Sequence, residues 1–363
     1  MEYRGVDLVC PACRENLRAR GADALECTGC SRTYPVLAGI ADLRLWPDPY
    51  IGIEEDRAKG VKLATACAGL SFADSVELYY RLTTVVPPFQ AKAFTRALLS
   101  AVPRAAHSLD RWRAEHALGV TGDDGSADRR TRGEQPHTAD TALLEVGCGT
   151  AALLVAASGN YEQMAGVDVA FRWLVLARKR LEEAGIDVPV ICACAEALPF
   201  AAATFTHVVF DSTIEHVRDQ TVTLDEAHRV LRDGGRVSLA TPNRLSLGPD
   251  PHAGIWAGGW LPDGVIAWWV RRRGGIPPKR TLLSRGGLQR ALARAGFEHT
   301  RILVPHVPAA QRAGFGPALR RVIDGYNAAA RMPVGRALFL RIGPLLHAVA
   351  RKSAVTTGAR KAD

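Results

Sequence analysis

Residues 143–154, LLEVGCGTAALL, are an apolar run interrupted by one acid and two glycines. A buried strand gains nothing in packing from Glu145, and it gives up side-chain contacts at Gly147 and Gly149. The cost makes sense if the strand ends in a turn that a ligand approaches closely. In a G-x-G turn that opens a helix, backbone amides and the helix dipole face that ligand and favour anionic groups. The turn alone also fits a plain tight turn or a dinucleotide fold, so its neighbours along the chain decide. After ALLEV, the segments MAGVDV, VPVICAC, THVVFD and GRVSLAT read as strands, with AALLVAAS, FRWLVLARKRLEEAG and TLDEAHRVLRDG as helices between some of them. In the second of these helices Leu174, Ala177, Arg178 and Leu181 recur at helical spacing, and Gly185 supplies the stop. Strands separated by helices of this length require right-handed crossovers and a parallel sheet covered on both faces. The expected class is a doubly wound α/β domain.

Asp168 closes the second strand 23 residues after Glu145, a place that suits a carboxylate accepting from both hydroxyls of a ribose. The third strand is followed by CAEALPF and the fourth by DSTIEHV. Taken in order along residues 142–242, E-x-G-C-G-T, V-D, A-E-A-L-P-F, I-E-H-V and V-L-R-D-G-G resemble a class I S-adenosylmethionine-dependent methyltransferase. The resemblance covers about a quarter of the chain. It implies a Rossmann-like sheet of seven strands and S-adenosylmethionine as cofactor. Residue by residue, it implies that Glu145, Gly147 and Gly149 surround the methionine part, with Cys148 small and buried between the glycines. Asp168 would hold the ribose hydroxyls and Val169 would pack on the adenine. Ala195 and Glu196 would lie along the adenine edge, and Asp211 would end the fourth strand where cofactor meets acceptor. Two positions depart from the family pattern: Ala151 replaces the third glycine, and Cys194 stands where an Asp often accepts from the adenine amino group.

Eight cysteines in a chain with no export signal point to metal or chemistry before disulfides. Cys10, Cys13, Cys27 and Cys30 form two C-x2-C pairs thirteen residues apart. Pro11 and Gly29 allow the bends that bring four thiolates to one structural zinc ion. Cys67, Cys148, Cys192 and Cys194 have no ligand spacing and read as small core residues. Residues 1–45 are therefore expected to be a zinc ribbon whose folding energy comes from metal. Its YPVLAGIADL resembles the segment after the second knuckle in the small zinc-ribbon proteins that partner methyltransferases.

Residues 46–120 read as a helical segment capping the active site, broken at Pro87 and Pro88. The polar, glycine-containing stretch 121–141 is expected to be a disordered loop. The methyltransferase domain is expected over 142–305, including a Trp-rich substrate loop at 243–280. Ser284 caps a helix that Gly296 ends, and FEHTRILV follows as a later strand. Residues 306–363 read as a basic helical tail, in which GRALFLRIGPLLHAVARK would place Leu338, Ile342, Leu345 and Val349 on one face. From Arg301 to the end, eleven Lys and Arg face two Asp, so the net charge of +9 belongs to this tail. An anionic membrane surface, nucleic acid or plain solvent could face it, a helix docked on the domain being the favoured form. With no basic-then-apolar start in MEYRGVDLVC and no run of 18 uncharged apolar residues, a cytoplasmic location is expected.

Methyl transfer from a sulfonium is an in-line displacement, so the protein has to position the acceptor and, for a hydroxyl, remove its proton. His216, just past the fourth strand, is the leading base, with a packing role as the equal alternative; His252 in the Trp-rich loop is second, and His207 inside a strand reads as structural. The S-x-x-E-H of Ser212 to His216 resembles the E-x-x-E-H of quinone-pathway O-methyltransferases, but with Ser212 for the first acid it lacks a pair for a metal. Trp256, Trp260, Trp268 and Trp269 favour an apolar small-molecule acceptor such as a lipid, quinone-like compound or secondary metabolite. Two other readings stay open. A ribosomal- or transfer-RNA base methyltransferase would use the ribbon on RNA, although the ribbon has few basic residues and no stacking aromatic beyond Tyr34. A catalytically degenerate scaffold would explain Ala151 and Cys194.

Overall fold

The computed structural model of the chain describes residues 1–83, 86–118, 141–248, 250, 253–313 and 315–353. A mixed sheet lies at its centre. Its strands are β1 (Ala142–Val146), β2 (Gln163–Asp168), β3 (Val190–Cys192), β4 (Phe205–Asp211), β5 (Leu231–Pro242), β6 (Phe297–Leu303) and β7 (Leu345–Lys352). They lie in the order β3-β2-β1-β4-β5-β7-β6. The first five pair in parallel, whereas β7 runs antiparallel to both β5 and β6. Val208, Val209 and Phe210 of β4 are all fully buried, as expected of a strand covered on both faces. The winding reverses between β1 and β4, and such a reversal opens a crevice at the carboxyl ends of the strands.

Four helices precede the sheet: α1 (Ile53–Ala66), α2 (Phe72–Leu82), α3 (Pro88–Leu99) and α4 (Ala101–Leu118). The crossovers are α5 (Ala152–Ala157), α6 (Phe171–Glu183) and α7 (Gln220–Val230). Between β5 and β6 lie α8 (Asp263–Arg272) and α9 (Arg285–Arg294); between β6 and β7 lie α10 (Ala309–Ala313), α11 (Pro317–Arg331) and α12 (Pro333–Ile342). Local chemistry sets several ends. Asp219 caps α7 by accepting from the amides of Thr221 and Val222, and Ser284 caps α9 by accepting from Gly287. Gly296, at φ +83°, supplies the left-handed turn into β6. Among the described residues no helix is long and apolar enough to cross a membrane.

The expected segments 46–120 and 243–280 are only partly as read. Helices form over the first, but α1 and α2 pack on α6 rather than over the crevice. A Cβ at Gly60 would overlap the Phe171 ring, so that glycine lets α1 approach. The Trp-rich stretch is not one loop, since it folds a turn at Gly258–Trp260 and then α8. The expected loop 121–141 lies outside the described residues except for Thr141.

The tail is the clear correction. The amphipathic helix read across 335–352 stops at Ile342, and Leu345–Lys352 is a strand between β5 and β6. Pro344 cannot continue a helix, and an apolar run as short as LLHAVA does not distinguish strand from helix by periodicity. The sheet domain therefore runs past residue 305 to Lys352, and Val349 is buried inside the sheet rather than on an exposed helix face. The last ten residues, 354–363, lie outside the described residues.

The four ribbon strands, Leu17–Ala19, Ala24–Cys27, Thr33–Leu37 and Ile40–Ala41, form their own antiparallel sheet. The ribbon nevertheless shares one apolar core with the large sheet, in which Leu8, Leu17 and Leu43 join Phe200 and Val208. The Leu43 amide donates to the Cys192 carbonyl at 2.7 Å, attaching the ribbon's exit to the β3 edge. Beneath this joint lies a buried ionic network. Arg44 bridges Asp42 (2.6 Å) and Asp56 (2.7 Å), and Arg172 bridges Asp56 (2.7 Å) and Asp48 (3.1 Å). Burial alone would raise the pKa of Asp42, but Arg44 and Arg57 outweigh it and hold the carboxylate below its ordinary range.

Candidate functional site

Two cavities meet at the glycine turn that follows β1. The first, of about 350 Å³, is lined by Gly147, Gly149, Asp168, Val169, Ala195 and Glu196, with His216 and Cys194 on the same wall. Gly147 has φ +74°, and a Cβ there would collide with Thr213, so the turn is closed to any side chain. Asp168 accepts from the Gly149 amide (2.9 Å, Oδ2) and the Ala170 amide (2.8 Å, Oδ1). Burial raises its pKa and these two N–H groups pull it back. Each carboxylate oxygen retains acceptor capacity, as a vicinal diol requires. Ala151 is buried at φ +59° in the left-handed region, so the missing third glycine leaves strain of about 1 kcal/mol or more rather than a different backbone.

The remaining walls of this cavity come from residues the sequence did not single out. Trp46, Asp48 and Tyr50, from the WPDPY that leaves the ribbon, line it together with Arg172 and Trp173 at the start of α6. Arg218 lies over the Trp46 ring, 5.3 Å from its centroid. Arg44 donates to the Val169 carbonyl at 2.9 Å, which ties the ribbon exit to the strand end that faces the cavity. Alternating aromatic and proline residues directly after a metal module were the available signal.

The second cavity, about 710 Å³, opens on the other side of the turn and shares Gly147, Thr150 and Ser212 with the first. Glu145, Cys148 and Asp211 line this cavity and not the first. Glu145 is 4% exposed and its Oε2 has no hydrogen-bond partner. Burial, and then the neighbouring Asp211, raise its pKa well above the ordinary range, countered by the Leu154 amide. Burial likewise raises Asp211. Cys148 is 4% exposed and its thiol is held protonated by burial.

Away from both cavities, the Sγ atoms of Cys10, Cys13, Cys27 and Cys30 all lie within 4.8 Å of one another. The closest pairs, Cys13–Cys27 at 3.4 Å and Cys10–Cys30 at 3.7 Å, are near the separation set by four thiolates about 2.3 Å from one tetrahedral ion. The amides of Gly29 and Cys30 point at Cys27 Sγ (3.3 and 3.4 Å), stabilising a thiolate there. This donor set fits zinc.

Residues 144–239 match the family described as a methyltransferase domain. The chain carries a methyltransferase domain. A ubiquinone biosynthesis O-methyltransferase of Parvibaculum lavamentivorans is 32% identical over 134 residues, covering 36% of this chain and 52% of that protein. One of Ruegeria pomeroyi is 32% identical over 149 residues, covering 40% and 58%. The chain thus spans just over half the length of these curated relatives. Among solved structures, an S-adenosylmethionine-dependent methyltransferase of Mesorhizobium loti superposes with a TM-score of 0.42 at 18% identity, over 60% of this chain and 94% of that one.

Within the methyltransferase domain, His216 reaches the first cavity from the loop after β4, and its Nδ1 donates to the Lys279 carbonyl at 3.2 Å. That bond fixes the tautomer that carries its lone pair on Nε2. Burial lowers its pKa below the ordinary histidine range. His252 lies outside the described residues. His207 is buried and bonded to Tyr161 (2.7 Å) and Ser238 (2.8 Å), a structural chain within the sheet. Glu215, next to His216, is fully buried; it accepts from Thr241 at 3.0 Å, and burial pushes its pKa up to about 7. Neither described cavity is lined by it. Tyr34, the ribbon aromatic on which an RNA reading would depend, is 5% exposed and faces Cys10 Sγ at 3.2 Å, so it offers no face to a base.

Proposed function

We propose that the protein is an S-adenosylmethionine-dependent O-methyltransferase acting on an apolar small molecule, quinone-like or phenolic, with a structural zinc ion in its ribbon. The observation that carries this reading is the pair of cavities joined at one side-chain-free turn, one beside a ribose-type carboxylate and one larger and mostly apolar. In this reading Asp168 holds the ribose, Val169, Ala195 and Glu196 border the adenine, and Gly147 and Gly149 pass the methionine part toward the second cavity. Glu145 and Asp211 face the positive end of the donor. When bound, the cofactor supplies an activated methyl group. His216 acts as the base that takes the acceptor's hydroxyl proton. Because its pKa is lowered, it is neutral at pH 7, and the rate should fall only as pH drops below the ordinary histidine range. The relatives' name, ubiquinone biosynthesis O-methyltransferase, favours the same acceptor chemistry.

The test is transfer of tritiated methyl from S-adenosylmethionine to a panel of alkyl catechols and, separately, to ribosomal and transfer RNA. Label extracted with the catechols, reduced at least a hundredfold in His216→Asn, is the expected result. Label confined to RNA would replace the small-molecule reading, and no transfer from a donor that binds would favour a scaffold.

A further inference from the structure

The second cavity is lined by two chemically different sets of side chains, and only one serves the proposed reaction. Glu145 and Asp211 lie at the glycine turn. Apart from these acids, the lining brings together His107 and Arg111 of α4, His306, just after β6, and His347 of β7. Each of these four side chains has a buried nitrogen with no hydrogen-bond partner among the described residues: His107 Nε2, Arg111 Nη1, His306 Nδ1 and His347 Nδ1. His347 itself is only 4% exposed. Buried donors left unpaired are costly and uncommon in native proteins, and here three separate chain segments bring four of them to one wall. The nearby acid Glu115 pairs with Arg301 at 2.8 Å and also favours the charge on Arg111.

The electrostatics restrict what could satisfy them. Burial and then the Arg111 charge push the His347 pKa down to about 3, and the same two causes lower that of His306. The His306 and His347 imidazoles are thus neutral, each able to place its one N–H on the unpartnered nitrogen, while Arg111 supplies a fixed positive charge. Around them Leu153, Val307, Leu319, Ile323 and Leu345 make apolar walls. A group offering several acceptor lone pairs and a negative charge, attached to an apolar body, meets all of these conditions.

Resting on the reading of this cavity as the acceptor's, we propose that the acceptor is an apolar acid, its oxyanion held by Arg111 with His107, His306 and His347. The anion is then held by the Arg111 cluster rather than by the acids at the turn, and this sets which end of the acceptor faces the methyl group. Carboxylate and phosphate share the required chemistry.

The test is calorimetric titration of the full-length protein with decanoate, decyl phosphate and decanol, which share a chain and differ in the head. At least one acid should bind at least tenfold more tightly than decanol, the tighter of the two naming the head group. Arg111→Gln should erase that preference, Arg111→Lys should keep part of it, and His347→Phe should weaken the acids at least threefold with decanol little changed. S-adenosylmethionine titrated into the same samples should bind within twofold of the parent, which certifies the fold of each variant. Equal affinity for decanol and both acids, or an undiminished preference in Arg111→Gln, overturns the proposal. An acid preference without any donor binding would instead refute the methyltransferase reading and leave the anion site standing.

Discussion

Around the first cavity the side chains come from Leu98 of α3 and five short segments, 46–50, 146–150, 167–173, 193–196 and 212–218, four of which are the ends of consecutive parallel strands. Around the second they come from α4, the start of α5, the stretch after β6, α10, α11 and the start of β7, with the ends of β1 and β4 beside them and the glycine turn and Ser212 held in common. The first is fixed by topology, because any doubly wound sheet brings those strand ends together. The second is fixed by how the polypeptide returns after the sheet's parallel half is complete. The ribbon's exit segment belongs to the first: residues 46–50 line it, and among the described residues none of 1–50 lines the second.

Removing metal should separate the two regions most strongly. Cys27→Ser, or stripping with a chelator, should abolish the one-to-one zinc content, destabilise the protein by about 5 kcal/mol or more and weaken donor affinity by tens of fold. Elemental analysis, denaturant melts and donor titration read these three effects. Arg44→Gln attacks the same joint without touching a thiol. It leaves Asp42 and Asp56 buried with less compensation, for an expected loss of about 3–5 kcal/mol in a urea titration. A loss below about 1 kcal/mol would mean that the ribbon exit is not anchored by this network.

Asp168→Asn confines the damage to the donor cavity. Loss of charge-assisted hydrogen bonding should weaken donor binding by about 1.5–3 kcal/mol, with the decyl-chain affinities of the second cavity unchanged; equal damage to both would erase the distinction. Glu215→Gln probes the fourth-strand loop below both cavities. Its folded pKa of about 7 lies above the ordinary glutamate value of 4.5. Between these values the native state binds more protons than the unfolded state, so stability falls as pH rises through that window. The Gln variant removes the effect and should therefore exceed the parent by on the order of 2 kcal/mol at pH 8, with the difference gone near pH 4. Paired urea titrations at the two pH values check the sign.

The same contrast explains what could be read from the sequence. Residues of LLEVGCG, Asp168, AEALPF and IEH meet at the first cavity because each is a short motif at a strand end, and the strand–helix alternation fixes where strand ends go. Glu145 and Cys148 were read as part of the turn and Asp211 as the end of the fourth strand, but the sequence could not show that all three line the second cavity and not the first. Arg111, His306 and His347 carry no local signature: they lie nearly 240 residues apart at the extremes and meet only because β7 enters between β5 and β6. That insertion was itself hidden, since LLHAVARK satisfies an amphipathic helix on paper and a buried central strand in the fold. Trp46 and Tyr50 were visible but unassigned, because a ribbon read as a separate scaffold gives no reason to look for cofactor walls beyond its last cysteine.

The central claim is that the side-chain-free turn at Gly147 receives a sulfonium nucleoside. Calorimetric titration of S-adenosylmethionine into the zinc-loaded parent and into Gly147→Val tests it directly. The predicted result is one equivalent bound per parent chain and no measurable heat with the variant, whose denaturant midpoint should still report a folded protein. Absence of binding by the parent, or undiminished binding by the variant, would contradict it.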